Sequence, residues 1–111
     1  MRCGLLLLAL LPGLAAAGTA RSADDARLRS YGRHLAQECT SCHRLDGLDN
    51  GIPAIIGWET ERFVATLKFY RTGERTNPVM VSVAASLDDA QLAALAAYYG
   101  SLPKPAPKAK K

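Results

Sequence analysis

The sequence predicts a small all-α domain. Three segments carry the 3.6-residue spacing of amphipathic helices, no two stretches of matching β pattern exist to pair with each other, and 111 residues leave room for one core only. The hydrophobic share of 49% overstates that core, because the first twenty residues contribute heavily to it.

Those residues read as a cleaved secretory signal, residues 1–20. Met1 and Arg2 give a positive start, Leu5 to Leu14 an apolar run broken only by Pro12 and Gly13, and Ala15 to Ala20 a stretch of small residues. The run is shorter than the ~20 apolar residues a membrane-spanning helix needs. Cleavage after Ala17 or Ala20 fits, Ala20 being preferred, and Cys3 leaves with the signal. The mature chain is then expected in the periplasm, with no membrane span and with Cys39 and Cys42 as its only cysteines. Removing the first 20 of 111 residues leaves 91. At that size an apolar core alone gives little stability, and a disulfide, metal or cofactor is often required.

The first helix is expected over about 25–41, with Leu28, Tyr31, Leu35 and Cys39 on one face and Asp24 or Asp25 as its cap. The second spans about 60–72. It starts at Thr60 as a capping side chain, carries Phe63, Leu67 and Tyr70 on one stripe, and stops at Gly73. The third spans about 88–100, where Asp88 with Gln91 makes a capping box, Leu92, Leu95 and Tyr99 line one side, and Gly100 and Pro103 end it. Ser86 with Asp89 is a competing start. Between the helices, Arg44 to Trp58 and Thr72 to Ser86 read as loops long enough to be functional. Val79 to Val83 alternates like a strand but has no partner and is taken as loop.

Four lysines (Lys104, Lys108, Lys110, Lys111) fall in the last eight residues, and residues 104–111 read as a disordered, Pro/Lys-rich tail. From Arg21 to Pro103 nine Arg and Lys face ten Asp and Glu, so the formal charge of +4 belongs to the ends and not to the body. A near-neutral body argues against nucleic-acid binding.

Cys39-Thr40-Ser41-Cys42-His43 has the C-x-x-C-H spacing of c-type haem attachment. Two cysteines three residues apart can each form a thioether with one vinyl group, while the next residue brings an imidazole under the iron. A thioredoxin-like motif would need a βαβ context, which is missing, and a closed zinc site would need four well-spaced ligands. One covalent haem c is therefore expected, with His43 as an axial ligand. Met80, the only methionine of the mature chain, lies in an unexplained loop and is the candidate sixth ligand, its alternative being core filler. His34 precedes the cysteines on the same helix and reads as a surface residue. A metal-bound histidine donates its other ring N–H, and Pro53 is placed to offer a carbonyl. Trp58, Tyr70 and Arg75 are candidates for the haem border, or equally core aromatics and a solvated charge.

Together these residues resemble the class I cytochrome c family, in particular its small bacterial c553-like members. The resemblance runs from about Tyr31 to Pro103. It is carried by Cys39 to His43, Gly51-Ile52-Pro53 with Ile55 to Gly57, Tyr70-Arg71-Thr72-Gly73, Arg75, Asn77-Pro78-Val79-Met80, and Leu87 with Ala97 to Pro103. It implies His43 as proximal and Met80 as distal ligand, Pro53 as the carbonyl partner of His43, and Gly32 as the small residue where first and last helices cross. Trp58 stands where such relatives often have glutamine, and Asp88 where they have serine. The loop before Met80 is also similar to the cytochrome subunit of flavocytochrome c sulfide dehydrogenases, which implies a redox partner protein, a flavoprotein subunit among the candidates. The function expected is electron transfer without substrate chemistry. The alternatives are a freely diffusing shuttle to a terminal oxidase, or a haem sensor or catalyst with an open sixth position.

Overall fold

A computed structural model describes residues 16–106. It contains four helices in the order α1 (Ala16–Cys39), α2 (Thr60–Arg71), α3 (Pro78–Ala85) and α4 (Asp89–Ser101), and no strand among the described residues. The architecture is all-α, in keeping with the cytochrome c fold that the resemblance implies. No single helix among the described residues is long and apolar enough to cross a membrane.

The extra helix is α3, in the segment expected to be a loop. Its start is set locally: the Asn77 side chain accepts the Met80 backbone N–H at 3.1 Å, and Pro78 occupies the first turn, where its missing N–H costs nothing. Ser86 closes it, its backbone N–H and hydroxyl both donating to the Val83 carbonyl. Alternating valines suggested a strand spacing, but Val81, Val83 and Ala84 turn partly or wholly inward on a helix.

α1 also departs from expectation. Among the described residues it runs Ala16–Cys39, so Asp24 and Asp25 lie inside it and cap nothing. Leu28 and Tyr31, expected on the core face, are 37% and 44% exposed, whereas Gly32 and Ala36 are buried. The face is set by α4, which crosses so closely that a Cβ on Gly32 would stand 1.9 Å from the Ala94 carbonyl oxygen. Only small residues fit that crossing.

α2 carries its expected stripe, with Phe63 and Leu67 buried and Tyr70 half-buried. Its cap position is Glu59 and not Thr60, and no side chain caps it. Gly73 ends it in the left-handed region (φ +80°), where its N–H donates to the Tyr70 carbonyl. α4 begins with the capping box: the Gln91 N–H donates to Asp88 at 2.8 Å and the Asp88 N–H to the Gln91 side chain at 2.9 Å. Leu92, Leu95 and Tyr99 are fully buried. The core is closed by aromatics, Phe63 stacking on Tyr99 (centroids 5.6 Å apart, 20° between planes) while Trp58 meets Phe63 edge-on at 6.4 Å.

Arg71 joins α2 to the approach of α4, donating to the Leu87 carbonyl and to Asp89, both at 2.7 Å. Beyond α4, Lys104 and Pro105 lie against the body, near Gly47, Gly57 and Glu59. Lys108, Lys110 and Lys111, and the apolar run Leu5 to Leu14, fall outside the described residues.

Candidate haem site

The chain does not unwind at once beyond α1. The Thr40 N–H donates to Ala36, and the Cys42 and His43 N–H groups both donate to the Cys39 carbonyl at 3.2 and 2.8 Å. Thr40 and Ser41 hydroxyls satisfy the carbonyls of Gln37 and Glu38. This continued turn keeps Cys39, Cys42 and His43 together. Both thiols are free, Cys39 half-buried and Cys42 exposed. Burial pushes the Cys39 thiol up, and the adjacent Tyr99 hydroxyl partly offsets this. The Tyr99 hydroxyl is itself buried without a well-formed hydrogen bond, and burial first, then Cys39, raises its pKa.

His43 is buried, at 8% exposure. Its Nδ1 lies 2.7 Å from the Pro53 carbonyl oxygen, ten residues on. A carbonyl can only accept, so Nδ1 carries a proton, and in the neutral imidazole this leaves the lone pair on Nε2. The loop delivering Pro53 is built from local turns. Asp46 accepts from the Leu48 N–H at 3.0 Å and Asp49 from the Gly51 N–H at 2.9 Å, while Gly47, Gly51 and Gly57 all take positive φ. The Arg44 side chain pairs with Asp46 and, with the Leu48 N–H, holds its carboxyl down at about 2. At the loop's end the Gly57 N–H donates to the Tyr99 carbonyl at 2.8 Å.

The other sequence candidates are spread around this centre. Met80 reaches the core half-buried from α3, with no hydrogen bond to His43. Trp58 is half-buried, donates from Nε1 to the Ala54 carbonyl at 3.2 Å and lies under the Arg62 guanidinium, 4.5 Å from its ring centroid. Tyr70 and Arg75 form a second such pair at 5.0 Å. His34 is exposed. Tyr99 was read as core alone; its hydroxyl beside Cys39 is a feature only the α1–α4 crossing reveals. Lys104 and Pro105, which touch this loop, likewise left no local signal.

The residues present fit a covalently held haem. Two unpaired thiols one turn apart, an imidazole with its tautomer fixed by a carbonyl and its other nitrogen bare, and a methionine on a separate wall form the appropriate donor set. Among the described residues no three His, Cys, Asp or Glu side chains gather as a site for a bare ion.

No protein-family profile matches the chain. It is similar to the thiosulfate dehydrogenase electron acceptor of Thiomonas intermedia (strain K12), with 37% identity over 78 residues that cover 65% of this chain and 36% of that protein. It is also similar to the thiosulfate dehydrogenase electron acceptor of Stutzerimonas stutzeri (strain A1501), with 31% identity over 91 residues, covering 78% of this chain and 42% of that protein. The chain thus spans less than half the length of these curated relatives, and what it shares with them is sequence similarity to proteins named as electron acceptors.

Proposed function

We propose that this chain is a periplasmic electron carrier with one haem c, attached through Cys39 and Cys42 and ligated by His43 and Met80. The observation that carries this reading is the 2.7 Å contact of His43 Nδ1 with the Pro53 carbonyl beside two free thiols of a C-x-x-C-H turn. When bound, the haem iron supplies one-electron exchange between its ferrous and ferric states.

The chain's own residues account for the remainder. Cys39 and Cys42 would hold the group by thioethers at the end of α1, and the Pro53 carbonyl orients the His43 ring through Nδ1, which would raise the basicity of Nε2 towards the iron. Met80 would supply a second ligand from α3, which would leave substrate no open coordination site. Buried Ile55, Ile56 and Phe63 keep water from the interior. No nucleophile or acid–base constellation is needed for such a role.

The similarity to thiosulfate dehydrogenase electron acceptors supports an oxidoreductase of that kind as the electron donor, ahead of a flavoprotein sulfide dehydrogenase. The decisive experiment produces the full chain with a c-type maturation system and stains a denaturing gel for haem. The parent should stain and Cys39→Ser/Cys42→Ser should not; an unstained parent sinks the reading. Rapid mixing of the oxidised carrier with thiosulfate dehydrogenase and thiosulfate, or with a flavoprotein and sulfide, then separates the two donors.

A further inference from the structure

Two glycines bracket the loop that brings Pro53 to His43, and the segment after α4 lies against both. A Cβ on Gly47 would stand 2.8 Å from Pro105 Cβ and 3.0 Å from its Cγ. On Gly57 it would stand 2.5 Å from Lys104 Cγ and 2.8 Å from Lys104 Cα. The Lys104 ammonium adds an ion pair to Glu59, at 3.6 Å, immediately past the loop. Ala54, Ile56 and Trp58 share a hollow with Lys104 and Pro105.

Between these two points residues 48–53 are exposed. Their hydrogen bonds among the described residues are local turns, apart from the one that Pro53 makes with His43. The exposed 48–53 stretch is therefore positioned by its ends, the later one anchored by buried Ile55 and Ile56 and by the Gly57 N–H bond to the Tyr99 carbonyl, with Lys104 and Pro105 laid over both. The crossing segment is stiff, because Pro103 and Pro105 each fix their own φ and restrain the residue before them.

We propose that Lys104 and Pro105 form a strap across the 47–57 loop, positioning the Pro53 carbonyl for His43 Nδ1. The inference rests on the haem-carrier reading, in which that hydrogen bond sets the orientation and basicity of the iron ligand. Lys104 and Pro105 are positioning residues, acting on His43 only through the loop.

The test uses the full, haem-loaded chain, a truncation after Pro103, a truncation after Pro105, and Pro105→Gly should the shorter chain fail to fold. Solvent exchange of the His43 Nδ1 proton is followed by NMR in the reduced state, with the Leu95 amide in α4 as a measure of global opening. Loss of residues 104 and 105 should speed exchange of the ring proton about tenfold through local opening and leave Leu95 unchanged. Truncation after Pro105 should alter neither. An unchanged ring proton without the strap, an equal rise at Leu95, or the same effect on cutting after Pro105 overturns the inference while the haem reading stands. A full chain that attaches no haem overturns both.

Discussion

Gly32→Ala probes the α1–α4 crossing most directly. The new Cβ would lie 1.9 Å from the Ala94 carbonyl oxygen, 2.6 Å from its carbon and 2.8 Å from Tyr98 Cβ. Nonbonded atoms settle nearer 3.5 Å, so the helices must part by roughly 1.5 Å, enough to forfeit much of the contact energy along their shared seam. Overpacking of this kind costs about 1–3 kcal/mol or more. Alanine's helix propensity returns no more than about 1 kcal/mol. The severe overlap puts the cost at the upper end, so we expect a net loss of about 2 kcal/mol, which for a domain of this size lowers Tm by on the order of 8–16 °C. The assay is thermal unfolding of the haem-loaded protein, with Gly100→Ala as comparison. There the added Cβ would meet the Trp58 carbonyl oxygen at 3.1 Å and Thr60 Oγ1 at 3.5 Å, tight but tolerable, and helix propensity should bring the change close to zero. If the two variants melt within about 3 °C of each other, a shift of under ~1 kcal/mol, the argument from close approach is wrong.

Asp88→Ala removes the capping box of α4 and should cost about 1 kcal/mol, measurable by urea titration. Asp46 and Asp89 both have carboxyls held below their ordinary 3.8, by Arg44 for the first and by Arg71, then Lys68, for the second. Their support is complete above that value and disappears as pH falls through the lowered one, so stability should decline from pH ~4 towards 2. Asp46→Asn with Asp89→Asn should flatten that decline in acid titrations followed by circular dichroism. Met80→Ala should lower the reduction potential, abolish the weak long-wavelength sulfur–iron band of the oxidised state and open the iron to carbon monoxide; a persistent band would refute Met80 as ligand.

What could be read from the sequence was what is encoded within a turn or two. Asp88 and Gln91 lie three residues apart and form the box their spacing announces, and Phe63, Leu67 and Tyr70 fall on the stripe their period demands. Cys39 to His43 is legible for the same reason. α3 was lost because three alternating valines mimic a strand spacing in a segment only eight residues long. The overlooked signal was Asn77-Pro78, a capping side chain followed by a first-turn proline. On α1, Leu28 and Tyr31 promised a core face, but the inner surface is dictated by α4, which no local window includes. Lys104 and Pro105 looked like tail for a related reason: their partners, Gly47, Gly57 and Glu59, lie some fifty residues earlier.

The crossing of Gly32 with Ala94 also governs when this protein can exist as a folded object. Its two sides are roughly 60 residues apart, and closing so long a loop must precede the contacts that repay it. At a synthesis rate of about 5–20 residues per second, Cys39, Cys42 and His43 emerge seconds before α4 exists to cover them. Tyr99, which packs against Cys39, follows it by roughly 60 residues. The thiols therefore stay accessible on an open chain until α4 has been made and the crossing can close.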